Sequence, residues 1–439
     1  MTDRGRPRKG GAPAPLKPRR RYGRWRAATL TSVYLLMGVH IAHWKIAGKT
    51  LAPLELNEVM NTLEQGVITA GFIFMSIAVV TVLFFGRFLC SWGCHILALE
   101  DLCSWLLKKI GIRPKPFRSR ILLLVPPATM FYMFLWPQVS RLLQGRELSE
   151  FRVQGDEEGW ASFVTDNFWR NLPGPWIIFL TFMICGFLIV YILGSRSFCR
   201  YVCPYGVIFA FTDRFAPGNI VSTGECQECG KCTATCQSQV RVHEELKLYG
   251  KVVNPACMKD LDCVNICPNH AIGYRFTWPA FFKSWRRKGL SRTRYDFSLG
   301  EETLMAVTFL TSLAVFRGLY GYVPFLMSLG LAAVLAFAAV LLVRLTGAGS
   351  LKLNNLELKS SGRLTRPGWA FVSLLLIFSL FAAHSGFIRA HEALGNRAYD
   401  RVTEARGAGV GLPPAEIAAA IRHYGACDRW GLIDPPYID

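Results

Sequence analysis

Long apolar runs alternate with short charged stretches along most of this chain. A helix needs about 20 mainly apolar residues to cross the hydrocarbon core of a bilayer. The pattern predicts about seven such helices: Ala27–Ala47, Gly66–Phe85, Ile121–Trp136, Pro175–Leu193, a pair within residues 303–345 that turns near Gly321 to Pro324, and Gly368–Phe387. The third run is short and holds Pro126 and Pro127.

Charge orients these runs. The first 26 residues carry ten Lys or Arg and one acid, with frequent Pro and Gly. They read as a disordered basic arm with no signal-peptide cleavage pattern. Such an arm stays in the cytoplasm. The crossings then alternate. Residues 48–65, with Glu55, Glu58 and Glu64, fall outside, as do residues 137–174, with Asp156, Glu157 and Glu158. Residues 86–120, 194–302 and 346–367 are basic and fall inside. Every loop obeys the positive-inside rule. The division that follows is a basic cytoplasmic arm (1–26), four spans (27–194), a cytoplasmic insert (195–302), three spans (303–388) and an outer-side helical tail (389–439).

Composition agrees. Hydrophobic residues make up 51% of the 439 and charged residues 18%, which excludes a disordered chain, a coiled coil and an ordinary cytosolic enzyme. The net charge of +20 lies beside apolar runs, so its partner is the lipid surface and not nucleic acid.

Fourteen cysteines, most in tight clusters on the cytoplasmic side, read as metal ligands rather than disulfides. Cys226-x2-Cys229-x2-Cys232-x3-Cys236 has the four-cysteine spacing of bacterial ferredoxins. A zinc knot rarely uses this triple spacing. The proline usual after the fourth cysteine is Gln237 here. The partner motif is Cys257-x2-Asp260-x2-Cys263-x3-Cys267-Pro268, with Asp260 where a second cysteine would stand. Two-cluster ferredoxins exchange their fourth cysteines. One 4Fe-4S cluster is therefore expected on Cys226, Cys229, Cys232 and Cys267. A second is expected on Cys236, Cys257 and Cys263, with Asp260 as a harder fourth ligand. Asp260 reads equally well as a solvated loop acid; without it that corner is open to water or iron loss, and the second cluster could be of the 3Fe-4S type. Lys231 and Lys259 lie close in sequence and would stabilise a reduced, more negative cluster; both read equally well as solvated surface charge.

Two further pairs end predicted spans: Gly86-Arg-Phe-Leu-Cys90-Ser-Trp-Gly-Cys94-His95 and Gly194-Ser-Arg-Ser-Phe-Cys199-Arg-Tyr-Val-Cys203-Pro204. They share nearly one register and read as an internal repeat of a helix hairpin. At i and i+4 the two cysteines of each pair would share a helical face. Cys90, Cys94, Cys199 and Cys203 could then present four thiols to a third metal centre or act as redox thiols. His95 is a candidate ligand or hydrogen-bond donor beside them. Buried packing is the plainer alternative. Cys103, Cys185 and Cys427 stand alone and read as structural.

These motifs resemble the membrane polyferredoxins of the NapH/NosR type over residues 66–275. The resemblance implies a mainly α fold: a polytopic transmembrane helix bundle with a cytoplasmic two-cluster insert resembling bacterial ferredoxin. It implies electron transfer between the quinone pool and a partner redox protein or respiratory-complex subunit, in a bacterial inner membrane, with no catalytic residue of its own. Cys199, Cys203 and Pro204 match the family motif fully; His95 and Asp260 depart from it. Two other classes fit the same cysteines: an assembly factor that handles or reduces metal for a respiratory metalloenzyme, and a structural membrane anchor.

His40 and His43 fall in the outer half of the first span and His384 near the outer end of the last. An ionisable residue within a span is a functional candidate, here for quinone or haem b. An interfacial role beside Trp44 is the plainer reading. No Cys-x2-Cys-His occurs, which excludes a c-type haem. Beyond the last span, residues from His391 and then from Pro413 to Leu432 predict two short amphipathic helices joined by a Gly-rich turn. They read as a docking element or a solvated cap.

Overall fold

A computed structural model describes residues 22–54, 58–145, 147, 149–153, 161–169, 172, 174–281, 295–407, 409 and 411–433. Most of the basic arm, Glu55 and the acids at 156–158 lie outside the described residues. The fold is mainly helical. It divides into two units: residues 1–33, 78–94 and 209–291, and residues 34–77, 95–208 and 292–439.

Among the described residues, five helices are long and apolar enough to cross a membrane. They are Leu122–Leu143, Pro175–Leu193, Leu299–Phe316, Phe325–Gly347 and Arg366–Gly407. The run expected at 66–85 starts late, because Val67 and Ile68 pair with Arg152 and Val153 as short strands. Its helix, Ala70–Phe85, has 16 residues. At 1.5 Å per residue that is about 24 Å, short of the bilayer core. The first expected run lies in helix Tyr22–Ala47, whose last third carries His40, His43 and Trp44.

The proline-bearing run is longer than its sequence suggests. Pro126 and Pro137 each lie second in a segment of one continuous 22-residue helix. A π-helical stretch, Phe131–Leu135, joins those segments. The buried Glu302 carboxylate fixes the start of the run. It accepts the N–H groups of Arg120 and Ile121, each at 2.8 Å, and the Ser119 hydroxyl at 3.0 Å.

The tail corrects one expectation. Its first part is no separate short helix but the end of one 42-residue helix, Arg366–Gly407. Gly395 continues that helix because Tyr424 of Pro414–Trp430 packs on it, where a Cβ would stand 2.9 Å from the ring.

In the other unit, strand Gly218–Ser222 pairs antiparallel with Ile272–Phe276. Ile220, Val240, Val242, Leu246, Val264 and Ile272 form its core, together with Cys232 and Cys263. Burying each aliphatic side chain contributes about 1.5–3 kcal/mol. Short helices Lys231–Thr235 and Asp262–Ile266 follow the first two positions of each cysteine motif and carry the third, Cys232 and Cys263. The buried Glu245 carboxylate accepts the N–H groups of Val253 at 2.8 Å and Asn254 at 2.9 Å, which fixes the approach to Cys257.

Gly86 closes the helix Ala70–Phe85 with φ +72. A Cβ there would meet Lys259 Nζ and stand 2.5 Å from Asp213 Oδ1 and 2.7 Å from Lys259 Cε. Gly86→Ala therefore combines backbone strain with a displaced buried ion pair. A loss of about 3 kcal/mol is expected, read by denaturant unfolding of this unit.

Candidate iron–sulfur and cysteine sites

The two ferredoxin-like motifs have the same local backbone. In the first, Glu228, Gly230 and Gln239 have positive φ; in the second, Lys259, Leu261 and His270 do. These are the same positions counted from Cys226 and from Cys257. Each loop then makes a five-residue helix and releases its last cysteine in an extended conformation, Cys236 at ψ 108 and Cys267 at ψ 116. Asp260 thus occupies the backbone position of Cys229. A leucine in the left-handed region costs about 1–2 kcal/mol, so Leu261 is held there by its loop.

Side chains from both motifs converge. Cys226, Cys229, Cys232 and Cys267 line one pocket, with His243 and Pro268. Cys226 and Cys229 are exposed, Cys232 is buried and Cys267 half-buried. Burial raises the Cys232 thiol, and Cys226 and Cys229 add to the rise. The second set is more enclosed. Burial pushes the Cys257 thiol up to about 12; Lys259 opposes this, while Cys236 and Asp260 add to it. Burial raises Cys263 well above its usual value, and Cys257, Asp260 and Cys236 push it further. Such thiols hold their protons until a metal displaces them.

Among the described residues, no three His, Cys, Asp or Glu side chains are spaced to hold a single metal ion. A cubane asks for something else, since each thiolate binds a different iron and the sulfurs stand farther apart. The thiol sets fit that chemistry, and a bound cluster would supply one-electron transfer.

Buried charge surrounds the second set. Lys259 and Asp213 form an ion pair with both side chains below one-tenth exposed. Asp213 Oδ1 also accepts the Arg87 N–H at 2.8 Å, and Arg87 Nη1 donates to Pro255 O at 2.8 Å. Lys259 is therefore a buried cation, not solvated surface charge. Arg26 pairs with Asp262 at 3.2 Å and lies 3.8 Å from Asp260.

The Cys-x3-Cys pairs differ from expectation. Neither lies on one continuous helical face. Cys90 is in the helix Phe88–Trp92, Gly93 at φ −124 ends it, and Cys94 follows the break. Cys199 is in Ser197–Tyr201, Val202 at φ −125 ends it, and Cys203 follows. The repeat is real, but its unit is a short helix and a break. Arg87 donates to Cys90, whose thiol burial raises against the pull of that cation. Cys199 Sγ lies 3.4 Å from Glu100 Oε2, and Phe198 N donates to Oε1 at 3.1 Å. Burial pushes the Glu100 carboxyl up to about 7, opposed by Arg196, the Phe198 N–H and Cys199. Cys90 and Cys94 belong to the unit of the ferredoxin-like cysteines, Cys199 and Cys203 to the other.

His95 begins the helix His95–Lys109, with its ring centroid 6.4 Å from that of Phe182. His40 Nε2 is 3.0 Å from Leu51 O, His43 Nδ1 3.1 Å from Thr50 Oγ1, and His384 Nε2 2.9 Å from Trp430 O. Cys103, Cys185 and Cys427 are buried. Sequence reasoning passed over Arg26, Arg87, Asp213, Glu100 and His243. Only Arg87 carried a signal, its place three residues before the first cysteine of its pair being matched by Arg196.

Residues 67–113 and 176–220 match the family described as 4Fe-4S binding domain. The match covers the two Cys-x3-Cys hairpins and stops short of Cys226. The methylamine utilization ferredoxin-type protein MauN of Methylobacillus flagellatus is 26% identical over 172 residues, 39% of this chain and 52% of that protein. The putative electron transport protein YccM of Escherichia coli is 23% identical over 184 residues, 41% of this chain and 48% of that protein. The ferredoxin-type protein NapH of Haemophilus influenzae is 24% identical over 212 residues, 43% of this chain and 64% of that protein. The chain spans about half the length of the first two relatives. No solved structure matches it.

The doubled hairpin makes the chain similar to ferredoxin-type iron–sulfur proteins, and its apolar helices are suited to a membrane. Within that class the chain is similar to the NapH type of polyferredoxin.

Proposed function

We propose that this chain carries single electrons through two clusters between the quinone pool and a partner redox protein. Cys226, Cys229, Cys232 and Cys267 hold the first cluster; Cys236, Cys257 and Cys263 hold the second, with Asp260 at its fourth corner. The observation that carries this reading is the shared backbone of the two loops, with Cys267 turned into the pocket of the first motif. The basic arm and basic loops support a cytoplasmic N-terminus and cytoplasmic clusters at a bacterial inner membrane, with seven crossings, the second on the short helix Ala70–Phe85, and the C-terminus outside. Quinone binds within the membrane region, near the histidines of the spans.

The chain's residues divide the work. The thiols of each set give up their protons to hold iron, the buried Lys259 and Arg26 offset the negative charge of the second set, and the hydrophobic core keeps water from Cys232 and Cys263. In anaerobic membranes, EPR should show cluster oxidation state following the quinone-to-quinol ratio. Clusters that respond to dithionite but ignore that ratio would overturn the quinone link.

A further inference from the structure

Asp260 stands where the first loop has Cys229, yet the fold already engages its carboxylate. Oδ1 accepts the Asp262 N–H at 3.2 Å, and Oδ2 lies 3.8 Å from Arg26 Nη1. The same nitrogen donates to Asp260 O at 3.5 Å and pairs with Asp262 Oδ2 at 3.2 Å. Arg26 and Asp260 are each 8% exposed. Arg26 belongs to the first turns of helix Tyr22–Ala47, 234 residues before Asp260. The first loop has no such arrangement, since Cys229 is exposed and lines an open pocket.

Water screens a buried pair little, so Asp260 feels the guanidinium strongly. A cation beside a carboxylate lowers its affinity for a second cation. Carboxylate is also a harder and weaker ligand for cluster iron than thiolate.

We propose that Arg26 controls iron at the fourth corner of the second site: its guanidinium competes with a ferrous ion for Asp260, so that this one iron binds reversibly. The inference rests on the cluster reading of Cys236, Cys257 and Cys263. Binding of the ferrous ion itself moves no electron. The Asp260 carboxylate exchanges its guanidinium partner for the ion, while the three cysteine-held irons stay in place.

The test uses the full chain, purified without oxygen, reduced with dithionite and titrated with ferrous iron. Corner occupancy is read from the three-iron EPR signal after reoxidation and from iron per chain. The wild type is expected to keep a three-iron population that ferrous iron converts. Arg26→Gln is expected to bind the corner iron more tightly, on the order of tenfold, the scale on which outer-shell partners act. Arg26→Lys keeps the charge without the fork and should fall between; it also serves if Arg26→Gln folds poorly. Asp260→Cys should hold four irons at this site whatever residue stands at 26. Unchanged or weaker corner binding in both Arg26 variants would overturn the proposal. Loss of all second-site iron in Asp260→Cys, with the first site intact, would instead overturn the cluster reading beneath it.

Discussion

Cys267→Ser is expected to strip iron from the first site, although the residue belongs to the second motif. Cys267 lines the pocket of Cys226, Cys229 and Cys232, and its loop releases it there in an extended conformation. Serine keeps the size and removes the soft thiolate that iron prefers. The variant should lose about four irons per chain and keep the signals of the second site. Cys263→Ser should do the reverse and lose the second set while the first survives. Anaerobic iron and sulfide assays with low-temperature EPR separate the two. Equal loss of both clusters from either variant would mean that the two sites fold as one. Loss of the second cluster alone from Cys267→Ser would contradict the exchange of fourth cysteines.

Lys259→Met is expected to act more on stability and on potential than on iron content. It removes the cation from a pair whose side chains are both below one-tenth exposed and leaves the Asp213 carboxylate buried. Breaking such a pair from one side costs about 3–5 kcal/mol. The double variant Lys259→Met, Asp213→Asn should recover most of that, because an amide oxygen still accepts the Arg87 N–H and no charge is stranded. The same change takes a positive charge from beside Cys257, whose thiol Lys259 pulls down. Reduction adds negative charge to the cluster, so the single variant should titrate at a lower potential than the wild type. Denaturant unfolding and an EPR-monitored redox titration read the two effects. A stable single variant with an unchanged potential would show that the buried lysine does neither.

Cysteine spacing led to the expected ligand sets, because a short loop around a cluster fixes both the number and the order of its ligands. It grouped Cys267 with Cys226, Cys229 and Cys232, which line one pocket with it. The charges around the second set were not legible. Arg26, Arg87 and Asp213 come from segments far away in sequence, and only the folded chain brings them to residues 255–262. The breaks inside the Cys-x3-Cys pairs were partly legible. Gly93 weakens a helix at that point, and Pro204 disfavours helical backbone at Cys203. The i and i+4 spacing outweighed both signals, and the structure reverses that weight. In the tail, the length of the helix Arg366–Gly407 was not legible, nor was the packing of Tyr424 into the space a side chain at Gly395 would need. The seven apolar runs were visible as pattern, but hydropathy alone missed the strand pairing that shortens the second to Ala70–Phe85.

The central claim is that this chain holds two clusters on the cysteines of its two loops. Iron and sulfide content, measured with low-temperature EPR on protein purified without oxygen, tests it most directly. Two such clusters give seven to eight irons per chain, roughly four from the first site and three to four from the second as the Asp260 corner empties or fills. More than about eight would bring Cys90, Cys94, Cys199 and Cys203 into a third centre. A well-folded preparation that holds little iron, even after reconstitution, would contradict the account.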